Sequence, residues 1–182
     1  MITLARPFNI ILALLFCGLI CGGALGCKSG DKKKEEKSKQ GTFLRFHLET
    51  NPDPSGRTLE AKVYRTQPVS FTVGRDAVLD EGYLEKVEIV DADEHGGVMA
   101  FKITFDPAGT RRLDAVTLEN RGLHFVIRAV WSDNRWLAAP LITKRISNGV
   151  FVFTPDATRE EAERIVAGLK NVIKKLHERY TL

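Results

Sequence analysis

Trp131 and Trp136 enclose Ser132-Asp133-Asn134-Arg135, a run that sets two large amphipathic rings beside one charge of each sign. A four-residue turn would place the two indoles opposite one another on the same face of a hairpin. Such a pair either stabilises the hairpin as a cross-strand contact or forms an exposed aromatic patch that grips an apolar segment or partner. In the second case Asp133 and Arg135 supply a polar rim at the tip.

Reaction chemistry finds less support. Asp91, Asp93, Glu94, His95 and Gly96 begin like a calcium loop, but position twelve is Lys102, where a bidentate glutamate must complete the oxygen cage. An acidic hairpin turn is the simpler reading. His47, His95, His124 and His177 are scattered, with no His-x-x-x-His pair and no thiolate to complete a zinc site. Ser55, Ser70, Ser132 and Ser147 lack the Gly-x-Ser-x-Gly elbow. Glu160 and Glu161 stand at a helix start, where they complement the dipole. No grouping supplies nucleophile, base and oxyanion donor together, so the expectation is a non-enzymatic protein with no catalytic residue, metal or cofactor.

Cys27 carries a different kind of chemistry. Arg6 supplies a positive start, residues 10–16 an apolar stretch, and Ala24-Leu25-Gly26-Cys27 reads as the cleavage and lipid-attachment box of a bacterial lipoprotein. Residues 1–26 are then a signal peptide and Cys27 the lipidated residue. The alternative is an uncleaved anchor, since the uncharged stretch approaches the ~20 residues that span a bilayer, although glycines at 18, 22, 23 and 26 weaken it. Both readings hold the rest of the chain outside the cytoplasm, tethered to a membrane. The three cysteines, Cys17, Cys21 and Cys27, all lie in or at the end of this leader, which removes disulfides and thiolate chemistry from the mature domain.

The net charge of +4 looks like a nucleic-acid signal until it is located. Seven of the 27 bases and three of the 23 acids precede Thr42, leaving twenty of each in residues 42–182. The excess lies in residues 27–41, where Lys32-Lys33-Lys34-Glu35-Glu36-Lys37 has no apolar residue to bury and reads as a solvated linker that favours anionic headgroups. As a coil it spans roughly 20 Å. The neutral domain is not expected to bind nucleic acid.

The elements that must position these residues follow from periodicity. Leu44, Phe46 and Leu48 alternate with polar residues, as do Leu59, Ala61 and Val63 after a loop at residues 51–56, and Pro68 and Gly74 bracket an edge strand with Val69, Phe71 and Val73. Residues 42–82 therefore form a peripheral β section. From Tyr83 onward a hairpin brings Val87 and Ile89 against Met99, Phe101, Ile103 and Phe105. Asp106-Pro107 starts a helix with Leu113, Val116 and Leu118, closed by Gly122. Leu123, Phe125, Ile127 and Ala129 form the next strand, the chain returns through residues 137–146, and Asn148-Gly149 is a hairpin turn before Val150 and Val152. Thr158 and Glu161 make a capping box for a helix that buries Ala162, Ile165, Val166, Leu169, Val172, Ile173 and Leu176. The expected class is α+β, an antiparallel sheet with two helices packed on one face.

Several short motifs then fall in a familiar order. Asp106-Pro107-Ala108-Gly109-Thr110, Thr117 with Gly122, Ala138-Ala139-Pro140 with Ile142 and Ile146, Asn148-Gly149, and Thr158-Arg159-Glu160-Glu161-Ala162 together resemble the head region of the first periplasmic domain of SecD, a membrane subunit of the bacterial protein-export machinery. The resemblance runs from about Val69 to Lys170, and residues 83–182 are expected to form the SecD-head-like domain. It implies that fold, and a way of touching exported polypeptide or components of the Sec translocon. The chain departs from the family in two ways. It ends at Leu182, where the family continues into membrane-spanning segments, so no proton pathway is expected. A usual glycine before Thr154 is replaced by Phe151 or Phe153. Two functions are consistent with these features: a membrane-tethered lipoprotein that binds a partner or an emerging exported chain, and a structural or assembly adaptor of the envelope with no export role.

Overall fold

The computed structural model describes residues 41–92 and 97–180. The leader at 1–26, Cys27, the rest of the linker up to residue 40 and the centre of the acidic turn at 93–96 lie outside the described residues. Among the described residues eight strands and two α-helices follow in chain order: β1 (Phe43–Leu48), β2 (Thr58–Val63), β3 (Val69–Gly74), a 3-10 turn (Glu81–Tyr83), β4 (Leu84–Asp91), β5 (Met99–Phe105), α1 (Pro107–Glu119), β6 (Phe125–Val130), β7 (Asn134–Ala138), β8 (Val150–Phe153) and α2 (Arg159–Tyr180).

The class is α+β, as the alternation of residues required, but the strands divide into two sheets. One has five strands in the order β1-β6-β7-β2-β3 and the other three in the order β4-β5-β8. Pairing is antiparallel except at Val63 and Trp136, where β2 meets β7 in parallel. The expected return strand over 137–146 stops at Ala138, because Pro140 has no N–H for a ladder. Leu141 makes only an isolated bridge to His124. Asn148-Gly149 is correspondingly not a hairpin turn: β8 pairs with β5 of the other sheet, and Gly149 serves the crossing. Its φ of +70° and the seating of Thr110 against its Cα leave no room for a side chain.

Nor does the section at 42–82 sit apart from the rest. Leu44 and Phe46 of β1 are fully buried in the main core. The Phe46 ring meets Phe105 at 5.7 Å, Phe151 at 5.9 Å, Phe125 at 6.2 Å and Phe153 at 6.4 Å, so it joins rings from both sheets. The smaller sheet contributes the alternating face of Val87, Phe101, Ile103 and Phe105, while Lys86, Glu88 and Lys102 project from the other face. Phe151 and Phe153 of β8 are both buried in this core.

Both helices begin as their residues dictate. The Asp106 carboxylate accepts the Gly109 N–H at 2.6 Å, with Pro107 in the first turn. A Cβ on Gly109 would come within 2.8 Å of the Tyr83 backbone oxygen, so glycine lets α1 start against the end of the 3-10 turn. The helix ends at Glu119 with an Asn120 cap, and Gly122 follows in the next turn with φ +87°. At α2 the capping box is closed, with the Thr158 N–H donating to Glu161 Oε2 at 2.8 Å and the Glu161 N–H to Thr158 Oγ1 at 3.2 Å. Ala162, Ile165, Val166, Leu169 and Ile173 are buried, whereas Val172 and Leu176 are only half-buried. α2 packs on β4, the 3-10 turn and β1, and α1 on β5.

Candidate partner-binding site

The β6–β7 hairpin carries Trp131, Asp133, Arg135 and Trp136, and its register separates the two indoles. Ile127 pairs with Ala138 but Arg128 with Trp136, so one extra residue bulges from β7. Trp131 packs against the main core and Trp136 against a smaller cluster on the other side of the five-stranded sheet, with Ala61, Val63, Val73, Val126 and Ala139. The expectation of two indoles on one face is thereby corrected: Val130 pairs with Asn134 and Arg128 with Trp136, so the chain turns over 131–133, and Trp136 stands opposite Arg128, an odd number of residues from Trp131 and hence on the other face. Both rings are half-buried.

Each indole is also covered by an arginine. The Arg135 guanidinium lies 5.4 Å from the Trp131 ring centroid and that of Arg128 lies 5.6 Å from Trp136. Arg128 is held in turn by its Nε–H donating to Asn134 Oδ1 at 2.7 Å. Asp133 turns the tip, accepting the Trp131 N–H at its backbone oxygen at 2.8 Å and the Asn134 N–H at its carboxylate at 2.8 Å. The His47 ring stands edge-on to Trp136 at 5.1 Å, its Nδ1 2.9 Å from the Gly74 carbonyl oxygen. Burial is the chief cause that pushes the His47 imidazole below its ordinary range.

Arg135 is the centre of a charge network that no sequence spacing suggested. Its Nε lies 3.3 Å from Asp133 Oδ2, its Nη2 3.3 Å from Glu161 Oε2 and its Nη1 3.8 Å from Asp156 Oδ2. None of the three nitrogens attains hydrogen-bond geometry, so Coulomb attraction and the Trp131 face hold the group. Arg65 grips the same acids from the β2–β3 connection. Its backbone N–H donates to Asp156 Oδ2 at 2.8 Å and its guanidinium to both Glu161 oxygens at 3.2 and 3.3 Å. Burial alone would raise the Glu161 carboxyl, but the Thr158 N–H, Arg135 and Arg65 together hold it below the usual carboxylate range. The network ties the β2–β3 connection, the hairpin and the start of α2 together.

Two further features escaped the sequence reading. Tyr64 has φ +69° and is 40% exposed, and its hydroxyl accepts the Ala139 N–H at 3.4 Å. Nothing in the sequence marks a tyrosine for left-handed backbone, a conformation that residues with a side chain seldom adopt. The second feature is β8, the outer strand of the smaller sheet. It pairs with β5 alone and presents Val152, 51% exposed, with Leu141 of the preceding segment 49% exposed. An outer strand of this kind is a template for an added extended segment. Among the described residues no group of acids and histidines could hold a metal ion, and no helix is long and apolar enough to cross a membrane.

The geometry defines a small α+β module in which two sheets share one phenylalanine-rich core, with a pinned hairpin and an outer strand at its surface. Residues 57–171, well over half of the chain, match the family model described as SecDF, P1 head subdomain, and the chain belongs to that family. It is 30% identical over 102 residues to the protein translocase subunit SecD of Calditerrivibrio nitroreducens (strain DSM 19672 / NBRC 101217 / Yu37-1), an overlap of 56% of this chain and 19% of that protein. The chain thus matches about a fifth of its curated relative. Two solved structures share the fold. One, described as a membrane component SecDF that enhances protein export, superposes with a TM-score of 0.57 at 21% identity, covering 82% of this chain and 71% of that one. The other, SecDF in a super-membrane-facing form, gives 0.58 at 22% identity, covering 80% and 21%.

Proposed function

We propose that this chain is an extracytoplasmic lipoprotein, held to a bacterial membrane by a lipid on Cys27, whose P1-head domain binds a polypeptide or protein partner in connection with protein export. It acts without catalysis and without nucleic acid. The observation that carries the reading is the family match over residues 57–171, joined to relatives described as a protein translocase subunit and as a component that enhances protein export. Contact is through the outer edge of β8 and the hairpin tip at Trp131, Asp133, Arg135 and Trp136, with Sec translocon components or an emerging chain as partner. Main-chain pairing at an edge suits a client of unspecified sequence, since the ladder reads backbone and not side chains.

One observation favours a second reading, an envelope adaptor with no export role. Arginines already occupy a face of each indole, which leaves less aromatic surface for an apolar client than an open pair would. The two readings separate in living cells. A photo-crosslinking residue at Trp136 and a second at Val152, followed by mass spectrometry, should capture export-channel subunits or many secreted chains. Capture of one discrete envelope protein, or of nothing, would leave the adaptor. Lipidation is read independently, as a diacylglyceryl mass increment on Cys27 that disappears in Cys27→Ala.

A further inference from the structure

The charge of α2 reverses along its length. Residues 159–169 hold Arg159 and Arg164 against Glu160, Glu161 and Glu163, whereas residues 170–180 hold Lys170, Lys174, Lys175 and Arg179 against Glu178 alone. These four bases are exposed, and Glu178 lies 3.8 Å from Lys174. At about 100° per residue, Lys170, Lys174 and Lys175 fall within an arc of roughly 140° on the solvent side. Beside them a groove of about 740 Å³ opens between α2 and β4, floored by Val87 and Ile173; Lys170 and Lys174 line its helix side with Glu178, and Glu85 and Lys86 its strand side, where Lys86 is paired with Glu88 at 2.9 Å. Lysine stems can lie along such an apolar floor while their ammonium groups reach outward.

The first described residues, Gly41 and Thr42, lie against the middle of α2. Thr42 is seated on Gly168, which has no side chain to obstruct it, and a Cβ on Gly41 would reach 3.0 Å from Val172 Cγ2. Gly41, the first described residue, therefore stands beside the Lys175 and Arg179 edge of α2, across the helix from Lys170 and Lys174. Six lysines and three acids occupy residues 28–40. The thirteen residues between Cys27 and Gly41 can reach at most about 50 Å when fully extended.

We propose that the C-terminal half of α2 is a second membrane contact that rests on an anionic bilayer surface. The inference rests on the membrane-tethered reading given above. Two observations select a lipid surface over an acidic protein: the excess positive charge continues from the helix into the adjoining linker, and the linker length keeps the patch near headgroups at high effective concentration. Weak attraction is enough in that setting. Each lysine close to an anionic surface changes partition about fivefold.

The test uses the lipidated chain purified from cells, with Glu178→Cys carrying an environment-sensitive fluorophore and lipids carrying a headgroup quencher. Flotation with pure phosphatidylcholine vesicles reads the anchor by itself. Addition of 30% phosphatidylglycerol should quench the probe at low salt, and 0.5 M NaCl should reverse it. Lys170→Glu/Lys174→Glu/Lys175→Glu should lower the surface-bound fraction at least tenfold while flotation and circular dichroism stay unchanged. Equal quenching with and without phosphatidylglycerol, or quenching that the triple variant retains, overturns the proposal while the tether stands. Protection of the probe by polyglutamate and not by phosphatidylglycerol makes the face protein-binding and also overturns it. Failure to float with phosphatidylcholine, with quenching still dependent on phosphatidylglycerol, overturns the tether and leaves the surface contact in place.

Discussion

Removing Arg135 should destabilise the domain more than any other single charge change at the hairpin. The Arg135 side chain is 18% exposed and lies between Glu161, 18% exposed, and Asp156, 21% exposed, while Arg65 is 47% exposed. Arg135→Ala removes a partly desolvated cation–π contact of about 1 kcal/mol. It also leaves two half-buried carboxylates to one guanidinium that solvent screens. Breaking a fully buried pair costs about 3–5 kcal/mol. Because Arg65 still serves both acids, we expect about 2–3 kcal/mol in all, against about 0.5–1 kcal/mol for Arg65→Ala as a more exposed partner. The two arginines share their acids, so the double variant should lose about 1 kcal/mol more than the two single losses added together. Urea unfolding followed by tryptophan emission measures all three, and the Arg135→Ala emission should shift to longer wavelength as Trp131 loses its cover. A loss for Arg135→Ala no larger than that for Arg65→Ala, or strict additivity, would refute the shared-network account.

Phe46→Ala should cost about 3–5 kcal/mol, because its fully buried ring joins phenylalanines of both sheets. Thermal unfolding measures it, and a loss under 1 kcal/mol would mean that β1 is not part of the cooperative core. The Glu161 carboxyl is held low in the folded state, so its contribution is present above the unfolded value near 4.3 and disappears as pH falls through the lower folded value. Glu161→Gln should therefore be less stable than the parent at pH 7, with the difference shrinking below about pH 4 in a denaturant series. A constant difference from pH 7 to pH 2 would mean that the stability of the capping box, and not the charge, is what the substitution removes.

Several elements were legible because their signals are local. Asp106-Pro107 and Thr158 with Glu161 satisfy helix-start amides within three residues of themselves, so their role is written in sequence and the structure closes both caps. The β4–β5 hairpin and the apolar stripe of α2 follow from periodicity that the backbone alone imposes. The ordered motifs led to the family that the match over 57–171 establishes. The partition of strands between sheets was not legible. Phe46 and the phenylalanines around it are separated by more than fifty residues, and an alternating strand carries no mark of its partner. The site depended on the same kind of information. The register of the β6–β7 hairpin, which turns over 131–133, sends Trp131 and Trp136 to opposite faces, and the acids that surround Arg135 arrive from two turns and a helix start. Caps, turns and periodicity are settled by neighbours along the chain, whereas strand order, strand register and the company of a buried charge are settled only when distant segments compete for the same core.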